Sequence, residues 1–222
     1  MKKLLIGIAV LALAVFSQAQ RGQGMGMMMG QGGGNPLMLL AREDVQEDLA
    51  LTSEQKEKLL EFTGQEAMRS RFMKFMQDSG MSFEDMRSEE GRKKLAPMME
   101  KMQAEMKKEI EAVMTPAQVK RLGEINVQFN GNRSVMQKDI AKALAITEAQ
   151  QTKIDALNKG VGEARRALME KMRNQELSME EFQEKNKKND DILNTEIGKV
   201  LTDAQKAKLS EMGGKKFVRK DS

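Results

Sequence analysis

The chain has no cysteine, histidine, tryptophan or tyrosine among its 222 residues. Each absence removes a class of chemistry. Without a thiolate or an imidazole, the usual hydrolytic triads cannot be assembled, nor can zinc sites of the Cys/His type. No disulfide can form, even in an oxidising compartment. Carboxylates remain, but Asp and Glu are spread along charged helical faces, and no spacing singles out a catalytic pair. The Gly-rich stretch near the N-terminus lacks the strand and lysine of a phosphate-cradling loop. The expectation is a protein that is not an enzyme and carries no cofactor.

Long apolar runs are also scarce. One run extends from Leu4 to Phe16, behind Lys2 and Lys3 and ahead of the small-residue end Ser17–Gln18–Ala19. That is the layout of a secretory signal over residues 1–19, with cleavage before Gln20. It is short for a membrane span, which needs about 20 residues; a retained anchor is the alternative reading. No Cys follows the run, so lipid attachment at a cleaved Cys is excluded. The expected location is the periplasm or another exported compartment, with no stable membrane anchor after cleavage.

Charge of one sign is lacking as well. The chain has 37 basic and 33 acidic residues, and removing Lys2 and Lys3 leaves 35 basic residues. A nearly neutral exported chain is not expected to bind nucleic acid. Leu, Ile, Val and Phe together supply 38 residues after position 19, under one fifth, which borders on disorder. Another 20 methionines in that span argue for a thin core partly built of thioether side chains. Proline occurs at three positions, Pro36, Pro97 and Pro116, each expected near a helix start.

What is present is helical periodicity. Residues 20–36 form a Gly/Met-rich tail that cannot bury enough surface to offset its ordering entropy. From Leu37 onward the apolar residues step by three and four. One stripe is Leu95, Met99, Met102, Met106, Ile110 and Val113. A second is Ile154, Leu157, Val161, Leu168 and Met172. A third is Phe182, Leu193, Ile197 and Val200, interrupted by Asn186 and Asn189. Such stripes predict amphipathic helices with charged backs.

Four short segments share one pattern: "ALTSEQKEKL" from Ala50, "VMTPAQVKRL" from Val113, "AITEAQQTKI" from Ala145 and "VLTDAQKAKL" from Val200. Thr followed three residues later by Gln is a capping box: the hydroxyl accepts from the third helical amide, and the Gln reaches back to the cap N–H. Thr52/Gln55, Thr115/Gln118, Thr147/Gln150 and Thr202/Gln205 are therefore read as structural caps, not as catalytic groups. The residue before each Thr tucks under the first turn, and the residue seven after it (Leu59, Leu122, Ile154, Leu209) faces the core. Met114 with Val119 alone has the spacing of a full hydrophobic staple.

The copies also align. "DVQEDLALTSEQ" from Asp44 matches "DIAKALAITEAQ" from Asp139, and "EIEAVMTPAQVKRLGEI" from Glu109 matches "EIGKVLTDAQKAKLSEM" from Glu196. This predicts two tandem helical units, 37–130 and 131–217, with a C-terminal tail at 218–222. The first unit has extra residues around "QDSGMSFEDMRSEEG", expected as a loop with a short helix holding Gly80 and Gly91. The joint "FNGNRS" has turn chemistry at Asn130–Gly131.

These paired motifs, with the charged, Met-containing helix leading into the second of each pair, resemble the LTXXQ-motif proteins, the Spy/CpxP family of periplasmic stress proteins. The resemblance covers nearly all of the chain after the tail; Met114 and Ile146 replace Leu at the first motif position and keep its apolar character. It implies an all-α fold of long bent helices without a cofactor. It implies dimers shaped as a shallow cradle that hold unfolding clients without ATP, partner a stress-sensor kinase, or in some branches bind metal. The tandem duplication departs from that pattern and suggests an intramolecular pseudo-dimer, leaving the oligomeric state open.

Three functions compete. The first is an ATP-independent chaperone whose partners are unfolded or misfolded proteins. Methionine suits an adaptable apolar surface, and the candidate client-binding residues are Met68, Phe72, Phe75, Met76, Met98, Met99, Met102, Met106, Met169 and Met172. Phe72 with Met73 and Phe75 with Met76 span more than one helix face, so some must be exposed. For any single Met, ordinary core packing is the competing reading. The second function is a Cu(I) buffer or sensor, since thioethers select soft Cu(I); its candidates are Met25, Met27, Met28 and Met29 in the tail, against a plain Met-rich linker, and the Met-x-x-Met pairs Met73/Met76, Met99/Met102 and Met169/Met172 have suitable spacing. The third is a structural helical adaptor for one partner.

Overall fold

In the computed structural model, residues 36–80, 82 and 88–219 are described. The leader and the tail expected before Pro36, with Met25, Met27, Met28 and Met29, lie outside them. Every regular element among the described residues is helical, as the apolar periodicity predicts. The order is α1 (Pro36–Leu40), α2 (Glu43–Asp48), α3 (Ser53–Thr63), α4 (Gln65–Ser79), α5 (Glu89–Val113) and α6 (Pro116–Asn130). A 3₁₀ turn (Gly131–Met136) leads to α7 (Lys138–Ala143), α8 (Glu148–Arg173), α9 (Met179–Val200) and α10 (Asp203–Met212). No described helix is long and apolar enough to cross a membrane.

The four Thr residues open α3, α6, α8 and α10, and each capping box is complete on both sides. Pro116 occupies the first helical position of α6, where its missing N–H removes no helical bond. The residues seven after each Thr are buried: Leu59 3%, Leu122 4%, Ile154 0% and Leu209 5% exposed. Burial of each such side chain contributes about 2 kcal/mol.

Two apolar clusters form the core. One gathers Leu39, Leu40, Val45, Leu49, Leu51, Leu59, Ile110, Met114, Leu122 and Ile125, together with Phe217 from the far end of the chain. The other gathers Val127, Val135, Ile140, Leu144, Ile154, Leu193, Ile197, Leu201 and Leu209. Helix α6 serves both, giving Leu122 and Ile125 to the first and Val127 to the second. It also contacts α10, so the helices opened by the second and fourth motifs meet.

The joint is pinned to α9. Gly131 has φ 55°, a left-handed value open to glycine, and its missing Cβ leaves room for Asn194. Asn132 donates its backbone N–H to Asn194 Oδ1 at 2.8 Å and its side-chain amide to Asn194 O at 3.0 Å. Asp190 bridges Arg133 at 3.2 Å and Arg165 at 2.9 Å. The polar interruption at Asn186 is buried, and its Oδ1 has no hydrogen-bond partner among the described residues.

Two expectations are corrected. Pro97 does not start a helix: it lies inside α5, because Ser88 caps that helix earlier, accepting from Gly91 N at 2.9 Å. A mid-helix proline deletes one i→i−4 bond and bends the helix. Gly91 accordingly sits in the first turn of α5 and not in a loop. Gly80 ends α4 with φ 62°, as a left-handed C-terminal glycine should.

Candidate binding surface and the glutamine clasps

The Thr-x-x-Gln segments do more than cap. Gln55 and Gln118 face each other, and each side-chain amide donates to the other's oxygen, at 2.8 and 3.0 Å. Each oxygen also accepts from its own cap: Thr52 N at 3.1 Å and Thr115 N at 2.9 Å. The remaining amide protons reach across to the chain ahead of the other motif. Gln55 Nε2 donates to Val113 O at 2.9 Å and Gln118 Nε2 to Leu49 O at 3.1 Å. Both donors and both lone pairs of each amide are thus engaged.

The same set recurs in the second half. Gln150 and Gln205 exchange bonds at 2.7 and 3.0 Å. Their oxygens accept from Thr147 N and Thr202 N at 3.1 and 3.0 Å. Their second amide protons go to Val200 O at 2.9 Å and Leu144 O at 3.2 Å. A glutamate could satisfy the cap but could not donate to its partner or to a carbonyl. A fifth box among the described residues, at the start of α9, uses glutamate and is not paired with another box. Ser178 N donates to Glu181 Oε2 at 2.9 Å, and that backbone bond holds the Glu181 carboxyl below its ordinary pKa. The clasps position helices and offer no reactive group.

Above each clasp rises a pair of arms. In the second half, α8 and α9 share the most extensive helix contact in the described chain. Phe182, Leu193 and Ile197 are buried in it. In the first half the corresponding arm is interrupted: Gly64 takes an extended conformation, φ −62° and ψ 153°, ending α3 and beginning α4. Helix α4 packs mainly on α3 and is tied to α5 by Arg71–Glu109 at 2.6 Å. That ion pair is about one third exposed on each side, and such a pair contributes at most about 1 kcal/mol.

Helix α4 carries three of the candidate residues whose side chains are described, Phe72, Phe75 and Met76. Phe72 and Phe75 stack with ring centroids 6.4 Å apart, and both are half-buried. Met73 beside them is 55% exposed, as is Leu60 of α3 at 62%. Arg69 and Lys74 lie exposed among them. A shallow open depression beside this face is lined by Ser70, Met73, Lys74, Met76, Gln77 and Asp78.

The other candidates divide. Met76 is 9% exposed and underlies the α4 face; Met106 is 2% exposed and belongs to the interior. For Met106 the core reading holds, since a side chain with almost no accessible surface has nothing to offer a client. Met98, Met102, Met169 and Met172 are half-buried, and the side chains of Met68 and Met99 lie outside the described set. Met73, absent from the client-binding candidates though its pairing with Phe72 signalled exposure on this helix, is the most exposed methionine among the described residues. Among the described residues, no three Asp or Glu side chains converge on one point to hold a metal.

No family model, curated protein or solved structure matches this chain. The functional reading therefore rests on the geometry.

Proposed function

We propose that the protein is an exported, ATP-independent holding chaperone of the Spy/CpxP type, built as a tandem duplication whose units pack as an intramolecular pseudo-dimer. The observation that carries the holding function is the α4 face. It sets stacked, half-exposed Phe72 and Phe75 and exposed Met73 on a helix that contacts α3 and is tied to α5 by one screened ion pair. Exposed apolar surface gives a promiscuous binder area to bury, and thioether side chains adapt to what they cover. Arg69 and Lys74 add charge beside it, which speeds encounter with unfolded chains. The tandem reading is supported by the two clasps, by the aligned sequences and by α6 meeting α10.

Suppression of aggregation tests this. The chain from Gln20, added without nucleotide to several unrelated unfolding proteins, should suppress light scattering near equimolar ratio. Phe72→Ser, Met73→Ser and Phe75→Ser together should raise the amount required roughly fivefold, in line with losing the few residues that dominate an interface. Helical circular dichroism should be unchanged. Full activity in the triple variant would place client holding elsewhere; protection of one protein alone would favour an adaptor.

A further inference from the structure

The second half of the chain ends on the first. After α10 the chain turns at Gly213 and Gly214, and residues 214–219 run without regular structure along α6. Gln128 addresses the main chain of this segment with its whole side-chain amide. Its Nε2 donates to Gly213 O at 2.5 Å and Lys215 O at 2.8 Å. Its Oε1 accepts from Phe217 N at 2.8 Å. Two turns earlier on the same helix face, Arg121 Nη1 donates to Lys215 O at 2.6 Å. Arg121 is itself braced by Asp48 at 2.6 and 3.2 Å and by Glu124 at 3.0 Å, so the donor is fixed before any peptide arrives.

Side chains of the segment are used at two positions. Phe217 is 7% exposed within the first apolar cluster, its ring centroid 5.7 Å from that of Phe129. Arg219 lies over Phe129 at 4.1 Å, and Arg42 is 5.3 Å from the same ring. Val218 between them is 74% exposed and Lys215 and Lys216 are exposed. Gly214 has φ 58°, and the Glu124 carboxylate fills the space where a Cβ would stand, so the segment enters at close range.

Main-chain hydrogen bonds combined with pockets for alternate side chains are how proteins recognise extended peptides. The segment leaves α10 just beyond its C-cap at Gly213 and hinges at two glycines, so it can swing out with the cap bonds to Leu209 O, Ser210 O and Glu211 O kept.

We propose that the face of α6 bearing Arg121, Gln128 and Phe129 is a peptide-binding groove. The chain's own C-terminal segment covers it, and it takes extended segments in which phenylalanine is followed two residues later by a basic residue. The resident segment defines that chemistry. The groove is separate from the α4 face, and neither reading depends on the other.

The test uses a fluorescein-labelled peptide with the sequence of residues 213–222, read by fluorescence anisotropy. The chain from Gln20 lacking residues 215–222 should bind it, and the intact chain should bind at least roughly tenfold more weakly, because its own segment competes at high effective concentration. Gln128→Ala in the shortened chain, or Phe217→Ser in the peptide, should each weaken binding about tenfold. A folded shortened chain that shows no saturable binding overturns the proposal. So does equal binding of the Phe217→Ser peptide, which would mark non-specific adhesion. Hydrogen exchange on the intact chain decides the case independently of whether the shortened chain folds. The Phe217 amide should exchange well ahead of the Ile125 amide in α6, by local opening. Exchange of both at the same rate would mean that the segment leaves only on global unfolding, and would also overturn the proposal.

Discussion

The two halves share a base and differ in their arms. At the base, the bonds that Gln55 and Gln118 make are repeated by Gln150 and Gln205, down to the carbonyls addressed. Above it, α8 runs 26 residues without a break along α9. The matching path in the first half is cut at Gly64 into α3 and α4, and its returning helix α5 contains Pro97. The position equivalent to Gly64 in the second half is Lys159. At the distal cap, Ser178 is paired with Glu181, whereas Ser88 has Gly91 at the same step, with no side chain to return the bond. One kind of base thus carries a continuous hairpin in one half and an interrupted one in the other, and the break falls at Gly64. The interrupted arm is the one that carries the stacked, half-buried phenylalanines and exposed Met73, and the proposed client holding rests on it.

The largest expected effect comes from breaking what the halves share. In an isolated capping box glutamate is as good as glutamine. In the clasp it is not: a carboxylate at position 55 or 150 would aim an acceptor at a backbone carbonyl and at its partner's amide oxygen, and two donors would be lost. Gln55→Glu and Gln150→Glu should each destabilise by about 2–3 kcal/mol at neutral pH, the cost of leaving several partly buried polar groups unpaired. Urea denaturation measures this. The defect should shrink in acid, because the folded clasp favours the protonated carboxyl, which regains one donor; stability is recovered as pH falls through that raised pKa. Neutral behaviour of both variants at pH 7 would reduce the motif to a plain cap.

A smaller effect on stability, but a larger one on activity, is expected at the difference itself. In the break, a Cβ on Gly64 would stand 2.6 Å from Leu60 O. Gly64→Ala relieves that overlap by adopting helical angles, where Ala is favoured by about 1 kcal/mol. That change fuses α3 and α4 and swings the arm away from its seat on α3. Helicity should rise slightly, and aggregation suppression should fall severalfold. The converse change, Lys159→Gly in α8, should cost about 1 kcal/mol and leave client holding unaltered. If Gly64→Ala holds clients as well as the parent, the break is not what equips the first half for binding.

Much of this was legible in the residues. Thr at the cap, Gln at the third helical position and Leu or Ile at the seventh locate four helix starts and four core positions, because caps and periodicity are local. The clasp was not legible from one motif, since it joins residues far apart in sequence. Its trace is the choice of Gln in all four basal boxes, against Glu181 in the lone one. Pro97 misleads because proline signals a helix start only when no cap precedes it, and Ser88 does. Met106 and Met73 show the limit of periodicity: a stripe says which side chains share a face, not which of them a neighbouring helix covers. Phe217 lies in a Lys-rich end with no repeat, and only the fold brings Gln128 to its backbone.

The smallest predicted effect tests how deep the likeness of the halves runs. Ala50 and Ala145 stand one residue before Leu51 and Ile146 of the first and third motifs, and both are left-handed, with φ 48° and 50°. Each closes the preceding short helix with a paired bond pattern. Ala50 N donates to Glu47 O and Leu51 N to Gln46 O at 2.9 and 3.0 Å; Ala145 N donates to Lys142 O and Ile146 N to Ala141 O at 3.1 and 3.0 Å. Glycine is the usual residue there, because a Cβ in the left-handed region costs roughly 1–2 kcal/mol. Glycine also loses more chain entropy on folding, which offsets part of the gain. Ala50→Gly and Ala145→Gly should therefore each stabilise by about 0.5–1 kcal/mol, additively, since the residues before them, Leu49 and Leu144, belong to separate clusters. Thermal unfolding of both single variants and the double variant measures this. A gain at one site but not the other would mean that the two turns are alike in outline and not in strain.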